Sequence, residues 1–129
     1  MVVQPVADLD ADPRSGSPVS GRVPALPRVD LRRGSLRLSR RVYDTYFAGL
    51  EAVILLPRDG ALHILPVRHA GGGGYLLKQV NAAGDRTVFA GSLLRDLGVA
   101  EVFLEGDDER SFTARWSADH AALIVDPFP

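Results

Sequence analysis

Residues 81–100 read NAAGDRTVFAGSLLRDLGVA, and residues 32–51 read RRGSLRLSRRVYDTYFAGLE. Each stretch has a glycine near its start, then alternating residues, a short amphipathic segment and a second glycine. This order predicts a turn, a strand, and a helix that ends at a glycine of positive φ. The same unit therefore occurs twice in a chain of 129 residues.

The two units align element by element, with offsets of 49 to 51 residues. The aligned pairs are Gly34 with Gly84, strand 36–38 with 87–89, the helix that Ser39 caps (40–48) with the helix of Leu93, Leu94 and Leu97, Gly49 with Gly98, strand 52–56 with 102–104, and strand 62–65 with 112–116. One unit of this size cannot bury its own apolar face, whereas two can pair each other's strand edges and share a core. We therefore expect a mainly β fold with short helices, built from two internal repeats.

The first 28 residues differ in composition from the rest. They contain five of the nine prolines, and proline removes a backbone donor and biases the preceding residue away from helix. We expect an arm at 1–28 that is either disordered or extended along the surface of a protein partner. The remainder, 29–129, reads as repeat one (29–67), a glycine joint (70–74), repeat two (75–116) and a terminal edge strand (120–126).

Composition and motif searches exclude several classes of protein. The chain has no cysteine, hence neither a disulfide framework nor a thiolate metal site. The N-terminal stretch lacks the features of a secretory signal and no apolar run is long enough for a membrane helix, so we expect a cytoplasmic protein without membrane contact. His63, His69 and His120 lack metal-site spacing, and no nucleophile or phosphate-loop motif occurs. We expect no enzyme activity, no metal and no cofactor.

The net charge of −1 hides a local excess of arginine. Six arginines and one acid lie between Arg28 and Arg41, and arginine suits bidentate contact with phosphate and guanine. The candidate DNA-binding residues are Arg32, Arg33, Arg37, Arg40, Arg41, Lys78, Arg86 and Arg95. The alternative is a solvated face, or an electrostatic partner for the acidic segment 106–110. Alternation of Phe89, Phe103, Phe112 and Trp116 with polar neighbours indicates core packing rather than a base-stacking surface.

The stretch YLLKQVNAAGDRTVFAGSLLRDLGV (75–99) resembles the DNA-binding hairpin of AbrB-type transition-state regulators. Lys78 stands in the basic strand, Asn81 in the turn, Gly84 and Arg86 for the family's Gly-Arg, and Leu97-Gly98 at the helix end. Two such units in one chain resemble the MraZ arrangement, over residues 29–116. The resemblance implies a swapped-hairpin β-barrel and a transcription regulator that contacts DNA through arginines near the hairpin turns.

The chain departs from that family pattern at three positions. Asp85 is inserted before Arg86, where a phosphate should approach, Ala90 replaces the usual proline, and Ser35 occupies the arginine position of the first copy. Two functions follow from the sequence. One is a DNA-binding regulator that forms a homo-oligomer. The other is a non-catalytic scaffold or accessory subunit, with the same barrel, that binds a larger protein through the N-terminal arm.

Overall fold

The computed structural model describes residues 26–71 and 73–129, and within them a sheet of nine antiparallel strands joined by short helices. The strands are β1 Arg28–Arg32, β2 Ser35–Leu38, β3 Ala52–Arg58, β4 Ala61–Val67, β5 Tyr75–Leu76, β6 Lys78–Gln79, β7 Arg86–Phe89, β8 Glu109–Ser117 and β9 Ala122–Val125. The expected mainly β fold is confirmed. The arm predicted at 1–28 lies almost entirely outside the described residues; only its last residues, 26–28, are described, and β1 begins within them.

The strands follow the order β5-β3-β4-β9-β8-β1-β2-β7-β6 across the sheet. The two outermost strands, β5 and β6, are consecutive in the chain and are separated only by Leu77. The Leu77 N–H donates to the Glu51 carbonyl at 2.8 Å. Because the chain leads directly from one edge of the sheet to the other, the sheet is nearly closed and barrel-like.

The interior of this sheet is filled by alternating apolar side chains, as period-two strands require. Fully buried examples are Val29 and Leu31 on β1, Leu36 and Leu38 on β2, Leu62 and Ile64 on β4, and Leu123 and Val125 on β9. Phe47 and Leu94, one from each helical segment, are also fully buried and belong to the same cluster. One hydrophobic core therefore includes residues from both halves of the chain.

In the described residues, two short α-helical segments lie between the strands, besides a 3-10 helix. The first is α1, Arg40–Val42, which continues as a π-helical turn over Tyr43–Phe47. Its N-cap is Ser39, as predicted, with the hydroxyl accepting from the Val42 N–H at 3.2 Å. The second is α2, Gly91–Asp96.

Each of two hairpin turns packs against the start of the helix from the other half of the chain. Gly34, in the β1–β2 turn, accepts a hydrogen bond from the Ala90 N–H at 3.0 Å, just before α2. Gly34 has φ +72, and a Cβ there would lie 3.3 Å from the Gly91 Cα, so a larger residue would be strained and crowded. In the β6–β7 turn, the Asp85 carboxylate accepts from the Arg40 N–H at 2.9 Å, at the start of α1. The hairpins thus hold the two halves together.

Two predicted elements of the second half are corrected. The segment 102–104 was expected to be a strand, but Glu101–Phe103 is a 3-10 helix. It leads into an acidic loop before β8. The terminal strand was expected at an edge, yet β9 lies between β4 and β8 and all four of its residues are buried. Its apolar run is that of a central strand, which is covered on both faces.

Candidate nucleic-acid interface

Half of the eight predicted basic contacts are ion-paired within the fold. Their carboxylate partners come from the 3-10 helix and acidic loop after α2, from the π-helical turn after α1, and from the β6–β7 turn. The pairs are Arg33 with Asp107, Arg37 with Asp85 (3.0 Å), Arg40 with Asp44 (3.2 Å), and Arg95 with Glu101 (3.3 Å) and Glu105 (3.1 Å). Most of these groups are well exposed, where an ion pair contributes only about 0–1 kcal/mol. The pairs therefore lower the local positive charge without fixing the arginines firmly.

Arg95 shows the electrostatic effect most clearly. The side-chain hydrogen bonds from Arg95 to Glu105 and Glu101 raise the pKa of its guanidinium. Both carboxylates belong to the segment that follows α2, which sequence reasoning had assigned to a strand and an acidic hairpin. The pairs of Arg95 lie outside the predicted acidic segment 106–110, and the pairing predicted between that segment and the basic run is found at Arg33 and Asp107.

Asp85 is the centre of the second hairpin's polar contacts. Its carboxylate accepts hydrogen bonds from the Asn81 side chain at 3.0 Å, from Arg37 at 3.0 Å and from the Arg40 N–H at 2.9 Å. Hydrogen bonds from Asn81, Arg37 and the Arg40 backbone hold the pKa of this carboxyl below its ordinary value. The inserted acid thus ties the hairpin turn to α1, which is a structural role that the sequence did not reveal.

The Arg86 side chain is half-buried and is held in place by its neighbours. Its guanidinium lies 3.9 Å from the centre of the Tyr43 ring and donates to the Gly84 carbonyl. A cation stacked on an aromatic face is stabilised by about 0.5–2 kcal/mol. Arg86 therefore packs the β6–β7 hairpin against the helical segment of the other half, and has less freedom to reach a ligand than an extended surface arginine.

A row of outward side chains crosses strands β1, β2 and β7. Arg32 is the cross-strand partner of Ser35, and Ser35 is in turn the partner of Phe89. Phe89 is 58% exposed, which contradicts its predicted place in the core. The Lys78 Nζ lies 5.8 Å from the centre of the Phe89 ring. The exposed ring therefore has Lys78 nearby on one side and, on the other, Arg32 two strands away beyond Ser35; we call Arg32, Ser35, Phe89 and Lys78 the basic–aromatic row.

The cations of this row differ from the paired arginines. Within the described residues neither Arg32 nor Lys78 forms an ion pair, although Glu109 is the cross-strand neighbour of Arg32 on β8. Arg41 is likewise exposed and has no carboxylate partner in that part of the chain; it lies beside an open cleft of about 480 Å³. Arg86 also lacks a carboxylate partner in the described residues but is half-buried against Tyr43, so Arg32, Arg41 and Lys78 are the exposed predicted contacts without one.

The other predicted aromatics follow the core prediction more closely. Phe112 is buried, Phe103 and Trp116 are half-buried, and Trp116 stacks on Tyr46 with ring centres 5.0 Å apart. Phe89 is the exception because it occupies an outward position of β7. The alternation of the strand was correct, but which of its faces is buried depends on pairing with β2, which the local sequence does not specify.

The structure brings together two of the three histidines that sequence spacing kept apart. His63 on β4 and His120 in the β8–β9 turn have ring centres 5.2 Å apart, at an interplanar angle of 89°. Among the described residues, no group of three or more His, Cys, Asp or Glu side chains is arranged to hold a metal ion. In that same part of the chain, no helix is both long and apolar enough to cross a membrane.

Comparisons of the sequence with protein-family models, and of the chain with curated proteins and solved structures, gave no match.

Proposed function

We propose that this chain is a DNA-binding regulator of the AbrB/MraZ type that contacts nucleic acid through the basic–aromatic row. The observation that supports it is the exposed Phe89 between Arg32 and Lys78. Aromatic rings stack on bases with a gain of about 1–3 kcal/mol each, and nearby cations contact the backbone phosphates. Arg41 is a further predicted contact that is exposed and has no carboxylate partner within the described residues. The surface is smaller than the eight predicted residues suggested.

We also propose that the barrel-like sheet is a swapped-hairpin barrel of two repeats, as the resemblance implies. The strand registers support this. In the first hairpin β1 pairs with β2, as β6 pairs with β7 in the other half, and buried Val88 follows buried Leu38 by 50 residues. In the second hairpin of each half, the inward pair Leu55 and Ile64 corresponds to the inward pair Trp116 and Leu123, which follow them by 61 and 59 residues. The larger offsets of the second hairpin correspond to an insertion around the 3-10 helix and acidic loop, so the constant offset read from the sequence does not extend to it.

The strand order supports the repeat from another direction. When β1, β2, β3 and β4 are exchanged with β6, β7, β8 and β9, respectively, the same pairs of strands remain neighbours around the sheet. For this comparison β5 is counted as a bridge between β3 and β6. The docking of each hairpin turn on the opposite helix agrees with the same exchange. A family relationship inferred from these features predicts a shared fold. DNA binding has to be tested separately, at the basic–aromatic row.

The test is fluorescence anisotropy of labelled DNA, duplex and single-stranded, at several salt concentrations. For the wild type we expect binding at low salt that weakens with a slope of about −0.9 per phosphate contact on duplex DNA. Arg32→Ala and Lys78→Ala should each reduce the slope by about one contact. Phe89→Ala should weaken single-strand binding by about 1–3 kcal/mol with little change in slope. Arg33→Ala is the matched control, since Asp107 already compensates this exposed hairpin arginine.

Absence of binding to either form of DNA at low salt would contradict the proposal. If Arg33→Ala and Arg32→Ala reduce the salt slope of DNA binding equally, the basic–aromatic row contributes no more to binding than the paired arginines. The second candidate function is the accessory subunit that binds a protein. Internal pairing of Arg33, Arg37, Arg40 and Arg95 favours it, because a surface selected for DNA has little reason to neutralise half of its cations.

A further inference from the structure

A second cluster of basic groups lies on another part of the sheet, where β4, β9 and β8 are neighbours. His63 on β4 is the cross-strand partner of Ile124 on β9, and Ile124 is the partner of Arg115 on β8. His63 and Arg115 therefore flank one strand on its outward face. With Arg58 and His120 they line a cavity of about 210 Å³. We call these four residues the histidine–arginine pocket.

The arginines of this pocket lack carboxylate partners in the described part of the chain. Asp59 and Asp126 also line the cavity, yet neither forms an ion pair with Arg58 or Arg115. This differs from the paired arginines of the other surface. Since a guanidinium presents several donors in one plane, two unpaired guanidiniums at one cavity favour an oxygen-rich anion.

The histidines add donors whose number depends on protonation. His63 is only 8% exposed, and burial together with the charges of His120, Arg58 and Arg115 lowers its pKa, while Asp59 acts in the opposite sense. The Nδ1 of His120 is engaged by the Ser117 hydroxyl at 2.9 Å. With both imidazoles neutral, the lining arginines and aspartates balance in charge. Protonation of both imidazoles leaves an excess of two positive charges.

We propose that the histidine–arginine pocket is a binding site for a tetrahedral oxyanion, a phosphate or sulfate group, and that binding is coupled to proton uptake by His63. Protonation of His63 turns the balanced set of two arginines and two aspartates net positive, which favours an anion over a cation. The anion reverses the effect of the arginines on His63, since its negative charge favours the protonated ring. The affinity should therefore rise as the pH falls. This inference does not depend on the proposed DNA-binding function.

Sulfate is the first ligand to test, because it stays a dianion across the pH range and only the protein titrates. The histidine ring signals of the full chain, followed by NMR, report on the site, and exposed His69 outside the cavity is an internal reference. We expect sulfate to move the signals of His63 and His120 but not those of His69. Binding should be about fivefold or more tighter at about pH 5.5 than at about pH 8, since the anion favours the protonated form of His63.

Variants identify the donors. Arg115→Gln should weaken sulfate binding about tenfold, since it removes a charged donor, and exposed Arg58→Gln provides an independent second variant. Arg68→Gln, just after the opposite end of β4, should leave the binding unchanged. A DNA duplex then separates two sources of the oxyanion: displacement of sulfate indicates a backbone phosphate, and no displacement indicates a free anion.

Two results would overturn the proposal. The first is that sulfate leaves His63 and His120 unaffected, or affects them equally in wild type, Arg58→Gln and Arg115→Gln. The second is a response of both rings to Zn²⁺ without any response to sulfate.

Discussion

Asp85 is the residue whose role differs most between sequence and structure. The sequence suggested an acid that repels phosphate at a hairpin tip. In the fold its carboxylate joins the tip to Arg37 and to the first N–H of α1, and its side chain is only 23% exposed. A side-chain acceptor at a helix start contributes about 0.5–2 kcal/mol. The role of Asp85 is therefore to stabilise the fold rather than to contact a ligand.

Asp85→Asn should lower the free energy of unfolding by about 1–2 kcal/mol at neutral pH, because a charged acceptor is lost. The pKa of Asp85 is lowered in the folded state, so its contribution is present above the unfolded value of about 3.9 and is lost as the pH falls below it. Urea unfolding should show the difference from wild type shrinking below about pH 4. Asp44→Asn, in an exposed pair with Arg40, is the control and should change stability by less than about 0.5 kcal/mol. A pH-independent effect of Asp85→Asn would contradict this account.

His63 predicts a loss of stability in the same direction, on acidification, but in a higher pH range than for Asp85. Its pKa is lowered in the folded state, chiefly by burial, so the unfolded chain binds more protons and stability falls as the pH drops below about 6.5. In a buffer without phosphate or sulfate, His63→Gln should lose less Tm than the wild type between about pH 7.5 and about pH 5.5. Exposed His69→Gln should follow the wild-type curve. Parallel curves of Tm against pH for His63→Gln and wild type would show that protonation of His63 does not destabilise the folded state.

At the scale of elements, β9 connects the two halves of the sheet. It pairs with β4 through Leu123↔Ile64 and with β8 through Leu123↔Trp116. Leu123 is fully buried, whereas Ile54 on β3, the strand beyond β4, is 37% exposed. A strand in this position holds both hairpins, so damage to it should affect the whole sheet.

Leu123→Ala should cost about 2–5 kcal/mol of unfolding free energy, as truncation of a buried leucine generally does. Ile54→Ala should cost much less, since part of its side chain is already in water. Chemical denaturation of both variants provides the comparison. Similarly small losses of unfolding free energy in both variants would contradict the central position of β9 and favour the edge position that the sequence predicted.

Local features of the fold could be predicted, and non-local ones could not. Alternation gave strands β2 and β7, Ser39 capped α1, and Gly34, Gly49, Gly84 and Gly98 have positive φ as expected. These features depend on residues close in sequence. The 3-10 helix at Glu101–Phe103 and the central position of β9 depend on pairing with distant strands.

The candidate site illustrates the same limit. The basic residues were visible in the sequence, but their carboxylate partners lie up to 74 residues away, as for Arg33 and Asp107. The exposure of Phe89 and the approach of His63 to His120 likewise follow from strand pairing. Composition identifies the candidate residues, and only the packed structure decides which of them remain available to a ligand.

At the scale of the whole molecule, the central claim is that the two halves complete each other in one barrel. The β1–β2 turn packs on α2, the β6–β7 turn packs on α1, and one core includes Leu62 of the first half and Leu94 of the second. Both the proposed DNA surface, which combines β1 with β7, and the histidine–arginine pocket, which combines β4 with β8, require this arrangement. Neither surface exists in an isolated half.

Differential scanning calorimetry of the wild type, Leu62→Ala and Leu94→Ala tests this claim most directly. We predict one transition in each, with the calorimetric and van't Hoff enthalpies equal. Both variants should shift this same transition downward, because each removes a buried side chain at a cost of about 2–5 kcal/mol. Two transitions in the wild type, with Leu62→Ala lowering one and Leu94→Ala the other, would contradict the account.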